Sequence, residues 1–199
     1  MADVTAEVER VHAETRAQWR AWLEQHGHEA KGVWLVSWLK RTGRPAVPYA
    51  EAVTEALAFG WVDSKGNKLD DERTMLYFAP RKRGSGWARP NKLRVAELER
   101  TGLMTEAGRR VVEAAKADGS WTLLDDVEDL VVPPDLAAAF DAVPGSREQW
   151  EAFPRSAKRG ILEWIVQAKR PATRADRIEQ TARLAGQGQR AGQWRRPAS

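Results

Sequence analysis

Residues 74–92, TMLYFAPRKRGSGWARPNK, join a predicted strand to a predicted helix through a strongly basic loop. The apolar run at 74–79 favours a strand, and Asn91 is a residue type that caps helices at their N-terminus. Between them lie three consecutive cations, a Gly-Ser-Gly turn and one tryptophan, and a proline bounds each end. Positive charge, flexible backbone N–H groups and an aromatic ring suit an anion or a flat ligand. We therefore interpret residues 79–92, the basic loop, as a binding element.

The residues that precede the basic loop predict a small antiparallel sheet packed by helices. Runs rich in β-branched and aromatic residues at 32–39 and 61–64 predict strands. The Gly-Asn and Asp-Asp pairs that follow predict a turn, which makes 61–64 and 74–79 the two arms of a hairpin. Apolar residues at helical spacing follow Thr15 and Pro48. The sequence thus predicts an α+β fold for this part of the chain.

The composition changes after Trp121 and indicates a domain boundary. Acidic residues at 125–129 and the pair Pro133-Pro134 are typical of a joint. Beyond it the patterns predict helices only, one of them capped by Thr173. We predict an α+β domain over residues 1–122 and a basic helical module with a mobile tail over residues 123–199.

The net charge of +4 is unevenly distributed along the chain. Residues 81–100 carry a local charge of +5 and residues 155–196 a local charge of +8, so the remainder is acidic. Segregation of this kind suggests a field directed at an anionic partner. The alternative is that the basic and acidic parts of one molecule face each other.

Composition excludes several classes of protein. The absence of cysteine excludes disulfides, thiolate catalysis and the usual structural zinc sites. No apolar run reaches the ~18–20 residues that span a bilayer, so we expect no membrane insertion. The acidic N-terminus lacks an apolar export segment, and we expect a cytoplasmic protein. His26 and His28 lack a third ligand, no nucleotide-binding motif is present, and we expect neither metal nor cofactor.

Two blocks of residues resemble a known family. The first comprises ALAFGWVDS at 56–64, APRK at 79–82, SGW at 85–87 and NK at 91–92. The second comprises FPRSAKR at 153–159, EWI at 163–165, AKRP at 168–171, TR at 173–174 and RI at 177–178. Together they resemble the YdeI/OmpD-associated family, also called the bacteriocin-protection family. The resemblance implies an intracellular bacterial protein linked to stress and envelope protection, with an α+β N-terminal domain and a basic helical C-terminal one. It implies no agreed reaction and no catalytic residues.

The basic loop and one nearby carboxylate are the first candidate site. Arginine forks suit phosphate or carboxylate, the amides of 84–86 suit an anion nest, and Trp87 offers a stacking surface. The candidate ligand-binding residues are Asp63, Arg81, Lys82, Arg83, Ser85, Gly86, Trp87, Arg89 and Asn91. The alternative is structural: Arg81 or Arg89 pairs with Asp63 or Asp71, and Trp87 fills the gap between hairpin and helix.

A second candidate surface lies on the predicted C-terminal helices. Its cations could contact a phosphate backbone or an acidic partner, without sequence specificity. They are Lys158, Arg159, Lys169, Arg174 and Arg177. The alternative is a solvated polar face opposite an apolar one.

Three functions fit these patterns. The first is a non-enzymatic binding protein that holds a small anionic or aromatic ligand or a partner at the basic loop. The second is a nucleic-acid-binding accessory protein that uses the loop and the C-terminal cations together. The third is an enzyme in which Asp63 is the base and Arg81 holds an anion, which requires both groups in one pocket. Because the sequence contains no recognisable catalytic motif, we favour the first function.

Overall fold

The computed structural model describes residues 8–192. The chain divides into two compact units between Trp121 and Thr122. In the first unit the elements are β1 (Arg10–His12), α1 (Arg16–His26), β2 (Val33–Trp38), α2 (Tyr49–Ala58), β3 (Trp61–Lys68), β4 (Arg73–Pro80), α3 (Arg89–Arg100) and α4 (Glu106–Ala117). In the second they are α5 (Asp125–Glu128), α6 (Pro134–Ala142), α7 (Ser146–Ala152), α8 (Arg155–Val166) and α9 (Pro171–Ala185). The α+β fold class predicted from the sequence is confirmed.

The first unit is built on a four-stranded sheet with the strand order β1-β2-β4-β3. Strand β4 pairs antiparallel with both β2 and β3, so the predicted hairpin is present. Strand β1 pairs parallel with β2, which makes the sheet mixed rather than antiparallel throughout. The reason is the connection: α1 crosses over between β1 and β2, and such a crossover returns the chain in the same direction.

Helix α1 forms where the sequence predicts it and covers one face of the sheet. The Thr15 hydroxyl accepts from the Gln18 backbone N–H, and the Gln18 side chain accepts from the Thr15 N–H, a reciprocal capping box. The helix buries Trp19 completely against Phe78 of β4, with ring centres 5.2 Å apart. Burial of such large rings removes a large apolar area from water and anchors the helix on the sheet.

Helix α4 is held tightly against the turn between α2 and β3. The Thr105 hydroxyl caps α4 through the Gly108 N–H and also donates to the Ala58 carbonyl. A Cβ at Gly108 would lie 2.3 Å from the Ala58 carbonyl oxygen, so only glycine permits this approach. Gly60 adopts φ 77°, the left-handed conformation that glycine tolerates, and faces Val111 of α4. These contacts bring α4 to the end of the sheet.

The second unit is helical, with its own core of large apolar side chains. Leu136 and Phe140 of α6, Trp150 of α7, and Ile165 of α8 are each at most 2% exposed. Helix α9 begins at Pro171 with Arg170 as its N-cap, so the predicted cap at Thr173 is wrong. Proline suits the first turn of a helix because the N–H it lacks has no intrahelical partner there.

Two further sequence expectations concern the C-terminal tail and membrane-spanning helices. The predicted mobile tail, residues 186–199, lies partly outside the described residues, which end at Gly192. Within residues 8–192 no helix is both long and apolar enough to cross a lipid bilayer.

Candidate functional site

A cavity of about 390 Å³ lies in the first unit, where β4 runs into the basic loop. Its volume is in the range of about 300–1,000 Å³ that small-molecule sites occupy. The wall comes from four places: the segment after α1, the turn between α2 and β3, the basic loop and helix α4. The residues that carry its chemistry are Trp61, Arg81, Trp87, Arg110, Val111 and Asp118.

The backbone of the basic loop is fixed at its start and turned sharply in the middle. The Arg81 N–H donates to the Gly60 carbonyl at 2.9 Å, which ties the loop to the turn between α2 and β3. The Ser85 N–H and hydroxyl both donate to the Lys82 carbonyl, closing a tight turn. Gly84 has φ 74° and supplies the left-handed residue of this turn. The Ser85 amide is thus used inside the loop rather than presented to an anion.

Arg81 and Trp87 form the inner wall of the cavity. The Arg81 Cζ lies 3.9 Å from the centre of the Trp87 ring, and its Nη2 donates to the Gly86 carbonyl. Among the described residues, neither the Arg81 Nε nor the Trp87 Nε1 has a hydrogen-bond partner, although both atoms are buried. A buried donor without an acceptor is costly. Two residues that line the cavity thus each carry a donor that lacks an acceptor, and an acceptor bound against them would offset this cost.

Burial also affects the charge of Arg81. Desolvation lowers its pKa to about 10, and the nearby Asp63 carboxylate opposes that shift. The guanidinium therefore remains protonated at neutral pH. The cavity holds a desolvated positive charge, which is a strong attraction for an anion.

Further cations lie at the edge of the cavity, together with one carboxylate. Lys82, Arg83 and Arg110 contribute to the wall and are exposed. Arg83 forms an ion pair with Asp118 at 3.5 Å. Ser120, whose backbone N–H donates to the Asp118 carboxylate at 3.0 Å, and then the Arg83 guanidinium hold the pKa of Asp118 below its usual value. The edge is positive overall, with one acid held in its charged form.

The remaining wall is apolar. Phe59, Trp61, Val111 and Ala114 contribute to it. The Trp61 ring is held in place because its Nε1 donates to the Gly27 carbonyl at 3.1 Å. The cavity thus combines apolar surface with buried and exposed cations, which suits an anion that carries an aromatic or apolar group.

The structure brings only part of the predicted loop site together. Arg81, Lys82, Arg83, Ser85 and Trp87 line the cavity. Gly86 takes part through its carbonyl, which holds the Arg81 guanidinium. Asp63, Arg89 and Asn91 are not in the wall.

Trp87 and helix α3 differ from the sequence-based expectation. The Trp87 side chain is 1% exposed, so it is part of the core and not a solvent-exposed stacking surface. This agrees with the alternative in which Trp87 fills the gap between hairpin and helix. Helix α3 has Ala88 as its N-cap and carries Pro90 in its first turn, so the predicted cap at Asn91 is wrong. The Asn91 side chain instead accepts from Arg94.

Asp63 lies on β3 and faces α2 instead of the cavity. It accepts from the Tyr49 hydroxyl at 2.9 Å, and burial together with Asp63 raises the pKa of Tyr49. The enzyme hypothesis requires Asp63 and Arg81 in one pocket. Their charges interact, but Asp63 is not part of the wall that Arg81 lines.

Sequence reasoning missed the contribution of α4. Arg110, Val111 and Asp118 lie on or just after a helix that the sequence presents only as amphipathic. The available signal was the pair Gly60 and Gly108, since a glycine inside a helix often marks a close approach.

The C-terminal cations are mostly engaged within the second unit. Lys158 pairs with Glu151 at 2.6 Å, Arg159 with Glu128 at 2.9 Å, and Arg174 with Asp135 at 2.8 Å. Arg177 donates to the Trp164 carbonyl and lies over its ring. Lys169 is exposed. These pairs agree with the alternative of a solvated polar face.

No group of three potential metal-ligating side chains occurs within residues 8–192. His28 lines the cavity, and its Nε2 lies 3.2 Å from Glu29.

The two parts of the chain match different family models. Residues 11–111 match the model of a domain of unknown function, DUF8412, and residues 129–188 match the family described as bacteriocin-protection, YdeI or OmpD-associated. Neither the curated proteins nor the solved structures gave a match. The C-terminal block of the resemblance is thus confirmed, whereas the N-terminal block falls in the region matched by the other model. Since the first match covers half of the chain, the protein belongs to the DUF8412 family and carries a YdeI/OmpD-associated region at its C-terminal end.

Proposed function

We propose that the protein is a non-enzymatic binding protein whose cavity holds a small anion bearing an aromatic or apolar group. The observation that carries this proposal is the pair of buried donors, Arg81 Nε and Trp87 Nε1, in one wall of the cavity. An anionic acceptor would satisfy both and would offset the cost of burying the Arg81 charge.

The remainder of the wall supports the same ligand class. Phe59, Trp61 and Val111 offer apolar surface to a ring. Lys82 and Arg110 at the edge favour the approach of a negative charge. The carboxylate of Asp118 is paired with Arg83, so it opposes an anion less than a free carboxylate would.

The enzyme hypothesis has weaker support. Asp63 is engaged with Tyr49 and does not line the cavity, so the chain does not present the expected base beside Arg81. A binding role needs only the recognition groups that are already in place.

The test is a titration of the purified chain with 2-naphthoate and phenyl phosphate, each compared with a neutral analogue of the same shape, such as 2-naphthamide. We expect saturable binding of the anions, followed by calorimetry, and weak or no binding of the neutral analogues. Arg81→Met should remove the preference for the anion. Equal affinity for 2-naphthoate and 2-naphthamide, or full retention of binding in Arg81→Met, would contradict the proposal.

A further inference from the structure

The sheet of the first unit has a second face, on the side opposite α1. Side chains alternate along a strand, so Val33, Leu35 and Phe78 face the core and are buried. Their neighbours Trp34 and Tyr77 face the other way and are partly exposed. We call this side, with Trp34, Trp38, Met75 and Tyr77 at its centre, the aromatic sheet face.

The rings of the aromatic sheet face are arranged as a row across two strands. Trp34 and Tyr77 are directly paired across β2 and β4, with ring centres 5.2 Å apart and an edge-to-face geometry. Trp38 lies further along β2 on the same face. Its ring centre is 4.9 Å from that of His12. Two ring pairs, Trp34–Tyr77 and Trp38–His12, therefore lie on this face, and the buried Val36 lies between Trp34 and Trp38 on β2.

A glycine helps to place the Tyr77 ring. A Cβ at Gly32 would lie 1.9 Å from the Tyr77 hydroxyl oxygen. Tyr77 therefore extends over the backbone at the start of β2, which a larger residue at 32 would prevent.

Cations are interleaved with these rings. The Lys65 Nζ lies 5.6 Å from the Trp34 ring centre and 6.0 Å from that of Tyr77. Arg44 and Arg73 lie over Trp38, with Cζ distances of 4.2 Å and 5.5 Å. Cation–π contacts hold these groups close to the rings without neutralising their charge.

Acidic groups on this side are few and already engaged. Asp70 pairs with Arg73 at 2.6 Å, and Glu72 pairs with Arg44 at 3.7 Å. The Glu14 carboxylate accepts from the Trp38 Nε1. Lys65 is exposed, and it lies beside the rings of Trp34 and Tyr77.

We propose that the aromatic sheet face binds single-stranded nucleic acid, with bases stacked on Trp34 and Tyr77 and a phosphate contacted by Lys65. Stacking requires bases released from a duplex, and aromatic rings on an open sheet are a common platform for such bases. Lys65, the exposed cation beside both rings, would contact a phosphate of the bound strand. The cores of protein interfaces are also rich in Trp, Tyr, Met and Arg but are depleted in lysine. It is therefore Lys65, beside both rings, that favours a nucleic-acid strand over a protein partner.

This surface differs from the basic loop and from the C-terminal cations, and its proposal does not depend on the cavity. The rings and Lys65 belong to β2, β3 and β4, whereas the cavity is lined at the end of β4 and by α4. A failure of one proposal therefore leaves the other intact.

The test uses the full chain and fluorescein-labelled oligo(dT) and oligo(U) of about 15 nucleotides, a length within the range that single-strand binding modules occupy. Fluorescence anisotropy at about 50 and about 200 mM salt should show binding that weakens as salt rises. An unlabelled duplex of the same length should compete more weakly than the single strand. Trp34→Ala should weaken binding about tenfold, within the range expected for one lost stacking partner.

Because Trp34 is partly buried, its variant could lose stability, so a second variant carries the test. Lys65→Glu changes an exposed side chain and should weaken single-strand binding at least as much, with an unchanged melting temperature. Lys169→Glu in the second unit is the matched control, since it makes the same charge change on an exposed lysine. It should leave binding close to that of the parent chain.

Three results would overturn the proposal. One is the absence of single-strand binding at the lower salt concentration. Another is an equal loss of binding in Lys65→Glu and Lys169→Glu, which would show a nonspecific charge effect. A third is a change of oligomeric state in Lys65→Glu by size-exclusion chromatography without any nucleic-acid binding, which would assign the aromatic sheet face to a second copy of the chain.

Discussion

The guanidinium carbon of Arg81 lies 3.9 Å from the centre of the Trp87 ring, and each of the two side chains carries a buried nitrogen that no described residue satisfies. The stacking holds the guanidinium plane against the core while its Nη2 donates to the Gly86 carbonyl. In the proposed function the same contact would therefore serve both packing and recognition. This double role means that stability and binding must be separated in any test of the site.

Two substitutions of Trp87 separate those roles. Trp87→Ala should lower the free energy of unfolding by about 3–5 kcal/mol, because it removes a large buried side chain. Trp87→Phe keeps most of the apolar volume but removes the Nε1 donor, so it should weaken 2-naphthoate binding with a smaller loss of stability. Urea unfolding and calorimetric titration of both variants check this. An Ala variant as stable as the parent chain would show that Trp87 is not part of the core.

The pKa of Arg81 predicts how ligand affinity changes with pH. Burial lowers that pKa to about 10, so the cation persists through neutral pH and is lost above about 10. The affinity for 2-naphthoate, whose own charge is constant there, should be flat near neutrality and fall above pH 10. The sign for stability is opposite. The unfolded chain binds the proton more tightly, so burial of the charge opposes folding below about pH 10, and this cost fades as the pH rises above the lowered pKa of Arg81. The control is the Arg81→Met variant, whose affinity for 2-naphthoate should not decrease above pH 10.

Neighbouring arginines on α4 offer a matched pair for the cavity edge. Arg110 lines the cavity and pairs with Glu106 at 3.5 Å, whereas Arg109 lies outside it and pairs with Glu99 at 3.2 Å. Arg110→Ala should weaken 2-naphthoate binding by a few fold, because it removes one exposed cation near the ligand. Arg109→Ala should leave it unchanged, and both should melt close to the parent temperature. Equal effects of the two substitutions on affinity would place the ligand elsewhere.

Two helix-interior glycines should respond oppositely to alanine. Gly108→Ala places a Cβ 2.3 Å from the Ala58 carbonyl oxygen and 2.6 Å from the Met104 sulfur, so α4 must move away from the sheet. We expect a loss of about 1–3 kcal/mol in unfolding free energy, the range typical of overpacking, together with weaker ligand binding. A Cβ at Gly160 of α8 would contact nothing within 4 Å, and Gly160→Ala should stabilise by about 0.5–1 kcal/mol. Thermal melts of both variants provide the measurement.

In the second unit, Arg159 should matter for stability more than an exposed cation does. It contacts Glu128, which is 9% exposed, at 2.9 Å, and that contact raises the pKa of Arg159. Arg159→Ala would leave a largely buried carboxylate without this partner, a loss we place at about 1–3 kcal/mol. Lys116→Ala breaks an exposed pair with Glu113 and should change the melting temperature little. Similar small effects of both substitutions would mean that water replaces Arg159 at Glu128.

Local sequence patterns predicted most of the secondary structure, because the signals act over a few residues. The Thr15 cap with Gln18 defines the start of α1, and the alternation around Phe78 together with Asp70 and Asp71 in the turn defines the hairpin. The predicted turn residues Gly66 and Asn67 instead lie inside β3, paired with β4. The helix starts at Asn91 and Thr173 were wrong for a local reason as well. In both cases a proline occupies the first turn, and the helix begins closer to the N-terminus than predicted.

Local sequence patterns predicted only part of the candidate site. The residue types of the basic loop indicated an anion, and Arg81 with its flanking cations does line a cavity. Its other wall comes from α4, some thirty residues later, and no local pattern connects Val111 or Asp118 with Arg81. That connection depends on the close approach of Gly108 to Ala58, which exists only once the chain is folded.

The sequence by itself therefore determined the α+β class, the main elements of the first unit, the helical character of the second and the presence of a basic loop, because composition and short-range periodicity specify them. Tertiary structure alone decided which groups are buried and which are paired. It placed Trp87 in the core, turned Asp63 towards Tyr49, engaged four of the C-terminal cations and left Trp34 and Tyr77 on an accessible sheet face. The physical reason is that burial and ion pairing depend on contacts between residues far apart in the chain, and those contacts are set by packing rather than by any neighbouring residue.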